Sequence, residues 1–292
     1  MKNGTHILTL TSGFHLWSHT ENSGKKSKII AVHGGPGETH ESFETLSLGV
    51  PNAEITSYDQ LGSWYSDQPD FSDPKLAKKY LRIEYFVNEL EEVRRQLEYD
   101  KFILLGYSWG AMIALEYALK YPGNLDKLVI VGMSDRESDF TDRMKDEVAK
   151  VLSKDEAKYV FTEAKKGELD DPLFNQFMEK FYNDYYSRFS KSQSKHAIDI
   201  SNYQVANYMM GTNPFHTEGM MSGWNVSDKL YRIKTPTLIL VGDQDMISPK
   251  KARVMADKLP NGKLEIIPDA THVSLRDNPE YFFQQLNQFL TN

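Results

Sequence analysis

The chain has 292 residues, of which 40% are hydrophobic, with a formal net charge of −7 and no cysteine. That length suits one large domain, or a core domain carrying an insertion, with ample material for a buried core. The acidic balance argues against nucleic acid as a partner, and the lack of cysteine excludes disulfides, a thiol nucleophile and thiolate metal sites.

Strand and helix patterns alternate through the first part. Ile29, Ile30, Ala31 and Val32 form a short apolar strand that runs into His33-Gly34-Gly35-Pro36-Gly37. Residues 54–59 read as a second strand, ending in the turn-rich Gln60-Leu61-Gly62-Ser63. A helix is expected over 83–98, where Phe86, Leu90, Val93 and Leu97 are spaced by four, three and four. Next come an apolar strand at 101–105, the motif Gly106-Tyr107-Ser108-Trp109-Gly110, a helix former at 111–120 and a strand at 128–132. From 135 to 228 no strand-like run occurs. Charged and aromatic residues instead fall at helical spacing, including Phe174, Phe177, Phe181, Tyr182, Tyr185, Tyr186 and Phe189. Strands return at 237–242 and 263–267, and a helix closes the chain at 279–290. Apolar strands separated by helices imply a mostly parallel central sheet flanked by helices on both faces. Residues 1–134 and 229–292 are expected to form this α/β core, and 135–228 an inserted helical cap whose aromatic run is more core than pocket. No run of 18 apolar residues suggests a membrane span, and the first ten residues lack the apolar stretch of a signal peptide. A cytoplasmic, metal-independent protein is the expectation.

A G-x-S-x-G between a strand and a helix has the form of a nucleophile elbow, a tight turn that lifts a serine hydroxyl clear of the sheet. Ser108 is therefore the candidate nucleophile. It needs a base, an acid to orient the base, and donors for the oxyanion. His272, in a loop between the last strand and the last helix, is the candidate base. Asp245 is preferred as the acid because the turn after its strand allows its carboxylate to fold back. Asp243, expected to cap that turn, and Asp135, after the preceding strand, are the other candidates. The backbone N–H of Trp109 and that of Gly35 are the candidate oxyanion donors, since Pro36 has none to offer. His33 is expected to brace its loop. No His-Glu-x-x-His and no G-x-G-x-x-G or Gly-Lys-Ser/Thr is present, so neither a metal nor a nucleotide is indicated.

Taken together, His33-Gly34-Gly35-Pro36-Gly37, Tyr58-Asp59-Gln60-Leu61-Gly62, the Ser108 motif, Thr235-Pro236-Thr237-Leu238 with Gly242-Asp243-Gln244-Asp245, and the His272 loop resemble the proline iminopeptidase family of α/β-hydrolases, in order and over nearly the whole chain. The resemblance implies an acyl-enzyme hydrolase that needs no cofactor. Its expected substrate is a small peptide or amino-acid amide with a free N-terminal residue, often proline. It also implies cap carboxylates that bind the substrate's amino group. Here the chain departs: Pro214 stands where the family commonly has a glutamate. Glu218 is the expected substitute, with Glu116 and Asp184 as further carboxylates. The competing expectation is an esterase or lactonase that has lost amine recognition on this scaffold; a catalytically silent binding protein would resist labelling by a fluorophosphonate. Oligomeric state is left open.

Overall fold

The computed structural model describes residues 2–291. Its eight strands are β1 (Gly4–Thr9), β2 (His15–Glu21), β3 (Ser27–Val32), β4 (Ala53–Tyr58), β5 (Phe102–Tyr107), β6 (Leu125–Val131), β7 (Thr237–Gly242) and β8 (Gly262–Ile267). They form one sheet in the order β1-β2-β4-β3-β5-β6-β7-β8. β1 and β2 pair antiparallel, as do β2 and β4, and every later pairing is parallel. The central strands are apolar on both faces because helices cover both.

Side-chain alternation divides the core in two. Ile30, Val32, Leu104, Ile130 and Ile239 point to the side of helices α3 (Ile83–Gln96), α4 (Trp109–Lys120) and α10 (Pro249–Lys258). Ile29, Ala31, Leu105, Val129 and Leu238 point to the side of α1 (Leu46–Gly49) and α12 (Pro279–Thr291). α2 (Pro74–Tyr80) and α11 (Ser274–Asp277) are short connecting helices.

The expected strands and the first and last helices all occur, with ends shifted by a few residues. The hairpin β1–β2 escaped sequence reading for a physical reason. Of the alternating buried positions of β2, only Leu16 is apolar; the others are Ser18 and Thr20. Their hydroxyls are satisfied internally, Thr20 by Thr56 at 2.9 Å and Ser18 by the His6 carbonyl at 3.2 Å, so the period of two lacks its hydrophobic signature.

Between β6 and β7 lie α5 (Ser138–Val151), α6 (Lys154–Lys166), α7 (Pro172–Tyr185), α8 (Lys191–Ile200) and α9 (Tyr203–Met210). Side-chain caps start several of them: Ser153 and Ser190 open capping boxes, Asp171 accepts from the Phe174 N–H, and Gly167 ends α6 at φ +81°. Met144, Val148, Val160, Phe174, Met178, Phe181 and Phe215 make a separate small core, completed by Met246 from the loop after β7.

Candidate active site

Ser108 sits at the end of β5 with φ 52° and ψ −116°, a region that costs a non-glycine residue of order 1–3 kcal/mol. The turn is over-determined. A Cβ on Gly106 would strike the Gly110 carbonyl, and one on Gly110 would strike the Val32 carbonyl, so the turn packs at backbone distance. The Ser108 N–H donates to the Val131 carbonyl at 2.8 Å, and α4 begins at the next residue.

Three side chains from separate loops meet here. His272 Nε2 lies 3.0 Å from Ser108 Oγ, and its Nδ1 lies 2.8 Å from Asp245 Oδ1. Asp245 is fully buried; its Oδ1 also accepts the Ile247 N–H at 2.9 Å and its Oδ2 the Gly242 N–H at 3.2 Å. These amide donors fix the carboxylate and leave Oδ1 aimed at the imidazole. Gly132, at φ +61°, lies under the ring: a Cβ there would be 2.8 Å from His272 Cε1.

The other two candidate acids are engaged elsewhere. Asp243 accepts from the Asp269 and Ala270 N–H groups at 3.0 and 3.1 Å. It thus braces the histidine loop, where sequence reading expected it to cap its own turn. Asp135 is paired with Lys258 at 2.6 Å and Arg136 at 3.2 Å.

Gln60 ties three motifs into one frame. Its N–H donates to His33 Nε2 at 3.1 Å, its side-chain amide donates to the His33 carbonyl at 3.1 Å, and its Oε1 accepts the Trp109 indole N–H at 2.8 Å. His33 Nδ1 in turn donates to the Gly34 carbonyl at 2.8 Å. Burial holds His33 down at a pKa of about 4 despite the nearby Asp59, so the ring stays neutral and keeps one nitrogen as acceptor. Asp59 anchors the next shell, accepting from the His40 N–H and ring at 2.8 Å each and from the Tyr65 N–H at 3.1 Å. In the loop so braced, Gly35 has φ +108°. Among the described residues, neither the Gly35 nor the Trp109 backbone N–H has a hydrogen-bond acceptor within the protein.

The aromatic run splits in function. Phe174 and Phe181 belong to the small helical core, whereas the end of α7 reaches the histidine loop. The Tyr185 carbonyl accepts the His272 N–H at 3.0 Å, and the Tyr186 carbonyl accepts the Thr271 hydroxyl at 3.1 Å. These are carbonyls of a helix end, which need hydrogen-bond donors from outside the helix. The Tyr186 ring stacks on His272 with centroids 5.6 Å apart, and its hydroxyl donates to Glu38 Oε1 at 3.0 Å.

Glu218, the expected amine ligand, is exposed. Its N–H bonds the Met210 carbonyl at 3.0 Å, and among the described residues no ion pair or hydrogen bond joins its carboxylate to the site. Asp184 is also exposed, and Glu116 accepts the Trp224 indole N–H at 3.0 Å. Sequence reading missed Glu38, Tyr186 and Gly132. Only Glu38 carried a usable signal, a carboxylate directly after the glycine loop.

The family model described as the alpha/beta hydrolase fold matches residues 29–279. A proline iminopeptidase of Elizabethkingia meningoseptica is 30% identical over 97% of this chain and 96% of its own length. One of Flavobacterium johnsoniae is 29% identical over 98% and 97%. In structure, a proline iminopeptidase of Mycobacterium smegmatis superposes with TM-score 0.87 at 22% identity, covering 99% of this chain and 98% of that one. The crystal structure of VinJ gives 0.88 at 23%, with coverage of 99% and 98%. A sheet of this topology with a strained serine at the end of β5, and full-length likeness to these relatives, lead to one conclusion: the chain belongs to the α/β-hydrolase fold family and, within it, to the proline iminopeptidase family.

Proposed function

We propose that this protein is a serine aminopeptidase that releases the N-terminal residue, proline among others, from small peptides or amino-acid amides. The observation that carries the reading is the serial hydrogen bonding of Ser108 Oγ, His272 and Asp245, at 3.0 and 2.8 Å. His272 Nε2 takes the Ser108 hydroxyl proton as Oγ bonds to the scissile carbonyl carbon. The negative charge moves to the carbonyl oxygen, where the N–H groups of Gly35 and Trp109 receive it; losing one such donor typically costs about 3 kcal/mol of barrier. His272 then protonates the leaving nitrogen, the C–N bond breaks, and the acyl group remains on Ser108. Water repeats the sequence: its proton goes to His272, its oxygen to the acyl carbon, and the Ser108 oxygen leaves with the proton returned. Asp245 holds the Nδ1 proton throughout, which fixes the tautomer that makes Nε2 a base.

In this reading residues 135–228 are the cap over a core of 1–134 and 229–292, and the carbonyl end of α7 supports the histidine. No helix among the described residues is long and apolar enough to cross a membrane, and together with the absence of cysteine this supports a cytoplasmic site of action.

The test compares proline arylamide, the same substrate with its amine blocked, and a p-nitrophenyl ester, with Ser108→Ala as the control. Cleavage of the free-amine substrate alone, abolished by Ser108→Ala, is expected. Preference for the ester or the blocked amide would overturn the aminopeptidase reading in favour of an esterase.

A further inference from the structure

Amine recognition needs a carboxylate about one residue's length from the serine, because the amino nitrogen of the substrate is bonded to the carbon next to the scissile carbonyl. Pro214 offers no charge, Glu218 and Asp184 are exposed, and Glu116 is engaged by Trp224. Glu147 is occupied as well, by Arg143, by Lys150 at 2.7 Å and by the Tyr185 hydroxyl at 2.7 Å.

Resting on the aminopeptidase reading above, we propose that Glu38 is the residue that binds the free amino group of the substrate. Glu38 follows the His33–Gly37 loop three residues after Gly35, so one loop holds both the carboxylate and a donor for the carbonyl oxygen. Its Oε1 is fixed by the Tyr186 hydroxyl at 3.0 Å, and Tyr186 is stacked on His272. Its Oε2 rests over Gly34, at 2.9 Å from where a Cβ would stand, beside the Tyr107 ring at 3.1 Å from the same point. Tyr107 in turn packs on His272, with centroids 5.3 Å apart. The carboxylate is therefore lodged between the two rings that flank the histidine.

This seat is unfinished within the chain. Glu38 is half-buried. Among the described residues no lysine, arginine or histidine lies within ion-pair distance of it, and Oε2 accepts no hydrogen bond. Burial pushes the carboxyl above its ordinary range, while the Tyr186 hydroxyl, His272 and Arg276 pull it down. A carboxylate in such a place gains from a cation that brings N–H donors, which is what a substrate ammonium supplies. A Cβ on Gly34 would crowd Oε2 and the Tyr107 ring.

The experiment measures kcat/KM for proline arylamide and for a p-nitrophenyl ester lacking an amine, in the wild type, Glu38→Gln, Glu38→Asp and Tyr186→Phe. Glu38→Gln is expected to lower the amide-to-ester ratio by about 30-fold or more, mainly through KM. Glu38→Asp should recover part of that ratio, and Tyr186→Phe, which keeps the charge, should hold it closer to wild type than Glu38→Gln does. Circular dichroism melting shows whether each variant is folded. If Glu38→Gln misfolds, the ratio in Glu38→Asp and the weakening of proline amide as a competitive inhibitor at rising ionic strength decide the matter. A ratio unchanged in Glu38→Gln, or an equal loss on both substrates, overturns the assignment while leaving the aminopeptidase reading intact. A wild type that ignores the free-amine substrate overturns both.

Discussion

Two residues outside the hydrogen-bonded set of Ser108, His272 and Asp245 help to hold the site in position. Gly132 gives the His272 ring its flat seat at the end of β6, with only 2.8 Å between Cε1 and the site of an absent Cβ. Gly132→Ala should push the imidazole off Ser108 and lower kcat about 100-fold, with the fold retained by circular dichroism; an unaffected kcat would mean that the ring is held from above alone. His33 works one loop away. Its ring must remain neutral to accept the Gln60 N–H, and burial keeps its pKa at about 4. The unfolded chain protonates near the ordinary histidine value of ~6.5. Because the folded value is depressed, the stabilisation is present above ~6.5 and is lost as pH falls towards 4. Chemical denaturation across that window should show stability falling by up to about 3 kcal/mol, and the slope should be absent in His33→Gln.

At the scale of elements, one buried carboxylate adds a polar tie to the apolar seam between α3 and α4. Glu91 of α3 is buried, which by itself would raise its pKa, yet bonds from Arg94, the Tyr117 hydroxyl of α4 and Arg95 bring it down to about 2. The Tyr117 bond is 2.7 Å and those to Arg94 and Arg95 are 2.7 to 2.9 Å. A depressed folded pKa stabilises the protein above the unfolded value of ~4.5, and that contribution disappears as pH drops towards 2. Acid unfolding followed by tryptophan fluorescence should therefore lose a component in that lower window in Glu91→Gln, while the window above it, owed to His33, is unchanged. The seam bears on the site because α4 starts at Trp109, directly after Ser108. Helix α7 is anchored differently, by carbonyls at its end, so its hold on the histidine loop is polar and local.

Over the whole molecule, the parts legible in the sequence are those where one periodicity or one motif states its case. The strands β3, β5, β6 and β7 are short runs of Ile, Leu and Val, and both the Ser108 turn and the His272 loop lie where strands end. The hairpin β1–β2 was hidden because hydroxyls fill its buried positions. Tyr186 was hidden because its spacing is that of a core residue, and only the folded path of α7 brings it to His272. Glu38 lay in plain view but has no meaning without the rings that lodge it. Met246 carries the loop after β7 into the small helical core: it is fully buried among the helices between β6 and β7, immediately after Asp245. Met246→Ala should cost about 2–5 kcal/mol from the cavity it leaves, and should also reduce kcat through the displaced Asp245. A stability loss with kcat untouched would show that the acid is held by its amide donors alone.

The α7 end described above has a consequence for how this scaffold diversifies. The His272 main chain hydrogen-bonds to the Tyr185 carbonyl, and Thr271 to that of Tyr186, so the imidazole is partly a property of the inserted segment. Such a segment is not an interchangeable lid. A graft from a relative with a different α7 terminus would arrive without the backbone partner that the histidine requires. For this chain, α7 and the 268–273 loop therefore vary as one unit or lose the hydrogen bonds that join them.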